Sequence, residues 1–155
     1  MATINRDLTA LHSAMNSATT KTTDWIKTAN IALAPRGLKV HILETYRTAQ
    51  RQEELFAQGR NRKGQIVDRR KVVTFTTDSL HEYRLAVDWC PARVSKTGKV
   101  LEVFWDEGLY NEVYRKAPPK NYGLELLDWE RPHLQIVGGY ATAKKLGIKS
   151  NSSDA

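Results

Sequence analysis

Apolar positions recur at helical spacing near the amino terminus. Leu8, Leu11, Met15, Ala18, Trp25 and Ala29 stand three, four or seven residues apart, which predicts helix over residues 7–33. The intervening Ser17 to Asp24 is poor in helix formers, so a break there, with Asp24 capping a second helix, is one reading. Pro35 and Gly37 end it. The period then changes to two: Leu38, Val40 and Ile42 alternate with Lys39, His41 and Leu43, which predicts a strand to Thr45. Thr48 is placed to cap a helix over 49–58, with Leu55 and Phe56 on its apolar side and Gly59 as terminator. A polar loop covers 60–68, and Val72 to Thr76 reads as extended. Leu85 to Cys90 is extended too, Leu85, Val87 and Trp89 on one face, Ala86 and Asp88 on the other. Lys96 to Lys99 turns into a strand over 100–104. Asp106 caps a helix to Lys116, stopped by Pro118 and Pro119. Residues 131–137 form the last strand, with His133 and Gln135 opposite Leu134 and Ile136. A helix over 141–146 precedes a loose tail at 150–155. Strands and helices mix without βαβ alternation, so the expected class is α+β, one domain over residues 1–149.

Composition narrows the setting. The 155 residues show no internal repeat, and 41% are hydrophobic, as suits one globular domain and argues against wholesale disorder. No apolar run approaches a membrane span, and the amino terminus lacks a signal-peptide pattern; synthesis in the cytoplasm, with export needing outside help, is the expectation. The single cysteine, Cys90, excludes an intramolecular disulfide framework and reads as a small buried thiol beside a strand. The net charge of +7 favours polyanions: nucleic acid, anionic membrane or anionic cell wall. The densest basic patch, Arg69-Arg70-Lys71, has no interleaved aromatics and reads as a solvated loop, so nucleic acid is a distant third choice.

Candidate chemistry gathers in two places. Ser79 to Trp89 reads S-L-H-E-Y-R-L-A-V-D-W. It opens like the H-E-x-x-H of a zinc metalloprotease helix, but position 85 is leucine, so no second ligand follows one turn later. Asp88 is the better partner for His81, the histidine in a loop and the aspartate on the next strand, both facing one cleft. A catalytic zinc takes three protein ligands and leaves a position for water. The third ligand can be His133, in D-W-E-R-P-H, where Glu130 stands three residues earlier, placed for a general base. Each piece alone is weak. His12 and His41 read as ordinary structural histidines; Trp89, Trp129 and Tyr83 line a cleft or, at least as well, pack a core.

Together these pieces resemble the zinc D-Ala-D-Ala carboxypeptidase and L-alanyl-D-glutamate endopeptidase family, the VanY-like peptidases. Ser79-x-His81 with Ala86-x-Asp88, then Glu130-x-x-His133, follows its metal pattern. Thr45-Tyr46-Arg47-Thr48 with Gln52, Leu55, Phe56 and Gln58-Gly59-Arg60, and Lys71-Val72-Val73-Thr74, resemble two further blocks, so the likeness runs from about Leu11 to Gly139. It implies a Hedgehog/D,D-peptidase-like fold with a small antiparallel sheet flanked by helices. It implies one zinc ion held by His81, Asp88 and His133, although such a site can accept cobalt or manganese. Glu130 would be the general base and later proton donor, and Arg47 would steady the substrate carbonyl or its oxyanion. Ser79, Arg84, Gln52 and Trp129 would contact substrate. Two departures stand out. Arg84 replaces the motif glycine, at roughly 1–2 kcal/mol of strain if the backbone needs a positive φ. The stretch Gly123 to Asp128 lacks a glycine pair often seen before the second motif.

The resemblance implies a peptidoglycan peptidase of the phage endolysin type, a monomer without a transmembrane segment. It would cut the L-alanyl–D-glutamate bond of the stem peptide, reach the wall in the periplasm after a holin opens the membrane, and be drawn to an anionic wall or outer-membrane surface. A D-alanyl-D-alanine carboxypeptidase is the alternative enzyme. A non-catalytic, zinc-containing wall-binding module is the alternative of another class, and retention of Glu130 argues against it.

Overall fold

A computed structural model describes residues 2–127 and 129–147. Among these, five strands form one antiparallel sheet: β1 (Lys39–Glu44), β2 (Ala86–Val94), β3 (Val100–Val103), β4 (Leu124–Leu127) and β5 (Glu130–Ile136). The order is β1-β2-β5-β4, with β3 paired to the far end of β2. Four helices surround it: α1 (Thr22–Leu33), α2 (Ala49–Ala57), α3 (Glu107–Lys116) and α4 (Gly139–Leu146). The α+β expectation holds. The expected tail over 150–155 lies outside the described residues, as does Asp128.

One face of β2 carries the core. Leu85, Val87 and Trp89 are buried there, as their alternation predicts. Trp89 stands edge-on to Trp25 of α1 and to Tyr110 and Tyr114 of α3. The aromatic polar groups are satisfied inside this cluster: Trp25 Nε1 donates to Ala117 O at 2.9 Å, Trp89 Nε1 to the Tyr114 hydroxyl at 2.9 Å, and Tyr110 to Trp89 O at 2.9 Å. Paired polar tips let large aromatics be buried without a desolvation cost left over. Trp89 is therefore core, not cleft. Cys90 is buried as expected, and burial pushes its thiol up to about 11.

The amino-terminal helix is a correction. Residues 8–10 and 13–15 form two separate 3₁₀ turns, and the α-helix begins at Thr22. Asp7 and His12 each accept a hydrogen bond from the backbone two residues on, at Thr9 and Ala14, which offers the chain an alternative to helix. Asp24 sits in the first turn of α1; the capping position is Lys21, with no side-chain cap bond. Thr48 and Asp106 do cap α2 and α3. Strand β4 went unforeseen, since Leu-Glu-Leu-Leu is too short to show a period. Val72 to Thr76 joins no ladder; Thr74 O instead accepts from Arg60 at 3.0 Å and Thr76 O from Gln52 at 2.6 Å.

Candidate metal centre and its cleft

The site is a row across three strands. Glu44 of β1 pairs with Asp88 of β2, and Asp88 pairs with His133 of β5. Directly opposed residues share a face of the sheet, the face opposite the aromatic core. The β1 register shifts between Ile42 and Glu44, so the bulge turns Glu44 rather than Leu43 toward Asp88.

His81 reaches this row from a 3₁₀ turn, Leu80–Tyr83. Ser79 caps the turn: its hydroxyl accepts from His81 N at 3.3 Å, while Glu82 Oε2 accepts from Ser79 N at 2.7 Å. The loop after β1 clasps the same turn. Arg47 N donates to His81 O at 3.0 Å, and His81 Nδ1 donates to Thr45 O at 2.8 Å. With Nδ1 so engaged, Nε2 is the free lone pair. It is buried without a hydrogen-bond partner, 3.2 Å from Asp88 Oδ1. His133 is oriented the other way round. Its Nε2 donates to Gln135 Oε1 at 2.9 Å, Gln135 donates to Glu125 Oε1 at 3.0 Å, and His133 Nδ1 lies 3.2 Å from Asp88 Oδ1.

Among the described residues, His81, Asp88 and His133 offer ligand atoms all within 4.8 Å of one another. Two imidazoles with outward nitrogens held by carbonyl or amide partners, plus one carboxylate, fit a zinc ion with an open fourth position. The orphaned His81 Nε2 is a further sign of fit, since a buried acceptor with no donor is costly. Burial works against ionisation of Asp88, but the adjoining His81 and His133 imidazoles hold its carboxyl far below the usual carboxylate range. Burial likewise opposes the His133 imidazolium; the Asp88 hydrogen bond and charge, with Glu130 nearby, outweigh it and raise His133.

Arg47 stands beside this centre. Its guanidinium donates to Glu44 Oε1 at 2.7 Å and to Gln52 Oε1 at 2.9 Å, and lies 3.5 Å from Asp88 Oδ2. Glu44 also pairs with Arg51 at 2.9 Å. Burial raises the Glu44 carboxyl, but the two arginines prevail and hold it below the ordinary range. Gln52 is buried; it holds Arg47 and the Thr76 carbonyl and presents nothing to a ligand directly.

The centre opens into a cleft of about 760 Å³. One wall is Val72 to Thr76, tied to α2 by Gln52 and Arg60; Arg60 stacks on Phe56 at 3.8 Å and faces Phe75. The other wall carries Leu127, Trp129 and Glu130. In a regular strand Glu130, three residues from His133, would face away from it. Here β5 pairs Glu130 with Leu127 but Leu134 with Leu126, so three residues, 131–133, bulge and turn Glu130 onto the cleft. Ser79 and Tyr140 complete the rim, Tyr140 donating to Asp78 O at 2.7 Å.

Of the residues singled out in the sequence, His81, Asp88, His133, Glu130, Arg47, Ser79 and Trp129 converge on this cleft. Arg84 does not. It adopts φ +64°, the conformation its glycine counterpart would favour, and its side chain runs to the far side, over the Tyr46 ring at 4.0 Å and to Ala10 O at 3.0 Å. Its role is packing against the amino-terminal segment. Tyr83 lies outside the cleft and donates to Asp78. Sequence reasoning missed Glu44, Gln135, Glu125 and Thr45. Gln135 left a trace, two residues after His133 on the same strand face, and Thr45 lies in the Thr45–Thr48 block; Glu44 and Glu125 are assembled by pairing across strands.

A cleft over a metal-ready triad in a single α+β domain defines the class: a one-domain protein built around a candidate metal centre. Residues 11–136 match the family described as VanY, D-alanyl-D-alanine carboxypeptidase, and the chain belongs to that family. It is similar to the peptidoglycan L-alanyl-D-glutamate endopeptidase CwlK of Bacillus subtilis strain 168, at 35% identity over 122 residues. That match covers 68% of this chain and spans 65% of the length of the relative. Among solved structures, the Serratia marcescens L-Ala D-Glu endopeptidase ChiX aligns over 91% of this chain and 87% of its own, with a TM-score of 0.48 and 19% identity.

Proposed function

We propose that this protein is a zinc peptidase that hydrolyses the L-alanyl–D-glutamate bond of the peptidoglycan stem peptide. The observation that carries it is the His81, Asp88 and His133 triad with Glu130 on the same cleft. His81 Nε2, an Asp88 oxygen and His133 Nδ1 would hold zinc, which would supply Lewis acidity to the scissile carbonyl. Glu130 takes a proton from the attacking water and delivers it to the leaving amine. Its exposed carboxylate, at the mouth of the cleft, is free to exchange protons with both. Arg47 is held by Glu44 and Gln52 with its charge toward the centre, ready for the developing oxyanion without reorganisation. The choice of bond follows the relative named for that cleavage. The family description favours a second reading, removal of a terminal D-alanine. A lytic role at an anionic wall or outer-membrane surface suits the +7 charge, with phage-style release from the cytoplasm as its setting.

Mass spectrometry of wall digests tests this. New D-glutamate amino termini, lost with chelator and restored by zinc, are expected. Release of D-alanine alone would establish the carboxypeptidase. No cleavage by folded, zinc-loaded protein would leave a binding module. The Glu130→Gln variant should keep its zinc while kcat falls about 10²–10⁴-fold.

A further inference from the structure

Beyond the cleft, on the outer side of Trp129, lies a second depression of about 360 Å³ that the peptidase chemistry does not use. Trp105 and Trp129 flank it, 59% and 81% exposed, with Glu107, Arg131, Tyr110 and Pro132 completing its lining. Two largely exposed tryptophans on one depression leave an unusual amount of apolar surface in water and mark a contact site. Its two charged side chains face each other: Arg131 Nη2 lies 3.6 Å from Glu107 Oε1.

We propose that this depression is a saccharide subsite, which takes the β-1,4-linked N-acetylated aminosugar to which the stem peptide is attached. The inference rests on the reading of the cleft as an L-alanyl–D-glutamate peptidase site. Sugar rings offer flat C–H faces and a rim of hydroxyl and amide groups. Flat indole rings beside a carboxylate and a guanidinium complement both. An apolar peptide or lipid would strip water from the Glu107–Arg131 pair and return no hydrogen bonds to it.

Spacing supports the same ligand. Trp129 borders both depressions, so a substrate can pass from one to the other without leaving the surface. Arg131 stands two residues from His133 on β5, at most about 7 Å along the strand. In the wall, one alanine and a lactyl ether separate the scissile bond from the sugar ring, which is about 7 Å of extended chain. A terminal D-alanyl bond lies at the far end of the stem and would bring no sugar here.

The test compares two substrates for the zinc-loaded full chain: the free stem peptide, and the same peptide carried on the N-acetylglucosaminyl–N-acetylmuramic acid disaccharide. Wild type should prefer the disaccharide-bearing substrate by about tenfold in kcat/KM, mostly through KM. Trp105→Ala should abolish that preference, and Trp105→Phe should restore part of it. Equal rates on both substrates, or a preference that survives Trp105→Ala, would overturn the subsite. If neither substrate is cut, the peptidase reading fails, and the subsite is judged on binding alone. Titration of the peptide-free disaccharide should then give a saturable change in tryptophan fluorescence that Trp105→Ala removes. No saturable change up to about 10 mM would overturn it.

Discussion

Arg84 holds a backbone conformation that costs an arginine roughly 1–2 kcal/mol and a glycine almost nothing. Its stacking on Tyr46 and its bond to Ala10 O offset the strain. Two substitutions separate these terms. Arg84→Ala loses the contacts and keeps the strain; Arg84→Gly loses the contacts and relieves it. Chemical denaturation should find the glycine variant more stable than the alanine variant by about 1 kcal/mol, although glycine is the more flexible residue when unfolded. Glu44 invites a pH experiment. Its carboxyl is depressed in the folded protein by Arg47 and Arg51. A depressed folded pKa adds stability that is fully present above the unfolded value and is lost as pH falls. Wild-type Tm should therefore drop between about pH 5 and pH 3, and Glu44→Gln should begin lower and show a shallower drop over that window.

At the scale of elements, the metal centre depends on how α4 seats on the turn that carries His81. A Cβ at Gly139 would stand 2.2 Å from Leu80 Cδ1, and Leu80 is buried beside His81. Gly139→Ala must displace the buried Leu80 side chain, which packs at the start of the 3₁₀ turn that carries His81. Thermal unfolding should register a loss of about 1–3 kcal/mol, and calorimetry should show weakened zinc binding, although no ligand has been touched. The Val72–Thr76 wall depends on Arg60 and Gln52 in place of a strand partner. This explains why a polar residue in the middle of α2, Gln52, is buried: it joins the wall of the cleft to the arginine at its floor.

Across the whole molecule, the triad ties together three separate parts of the chain: the turn at Leu80–Tyr83, β2 and β5. An ion bound there binds the folded chain and not the unfolded one. At a free zinc concentration of about 100 Kd the gain is about 2.7 kcal/mol. For a chain of this size that raises Tm by roughly 5–10 °C over chelator-treated protein, readable by calorimetry. Alanine at His133 should remove most of that increment.

The sequence by itself determined the α+β class, the caps at Thr48 and Asp106, the buried face of β2 and the candidate ligands, because period, capping chemistry and short motifs are local. It also flagged the left-handed residue at position 84, through the glycine that Arg84 replaces. Tertiary structure decided the rest. Pairing across strands, which no local pattern encodes, set Glu44 beside Asp88 and Asp88 beside His133. Two bulges, at Leu43 and over 131–133, reversed the faces that a period of two assigns, bringing Glu44 and Glu130 to the site. The direction of Arg84, the burial of Gln52 and the tautomers fixed by Thr45 O and Gln135 likewise come from partners distant in sequence or folded onto the same face, so only the assembled chain could place them.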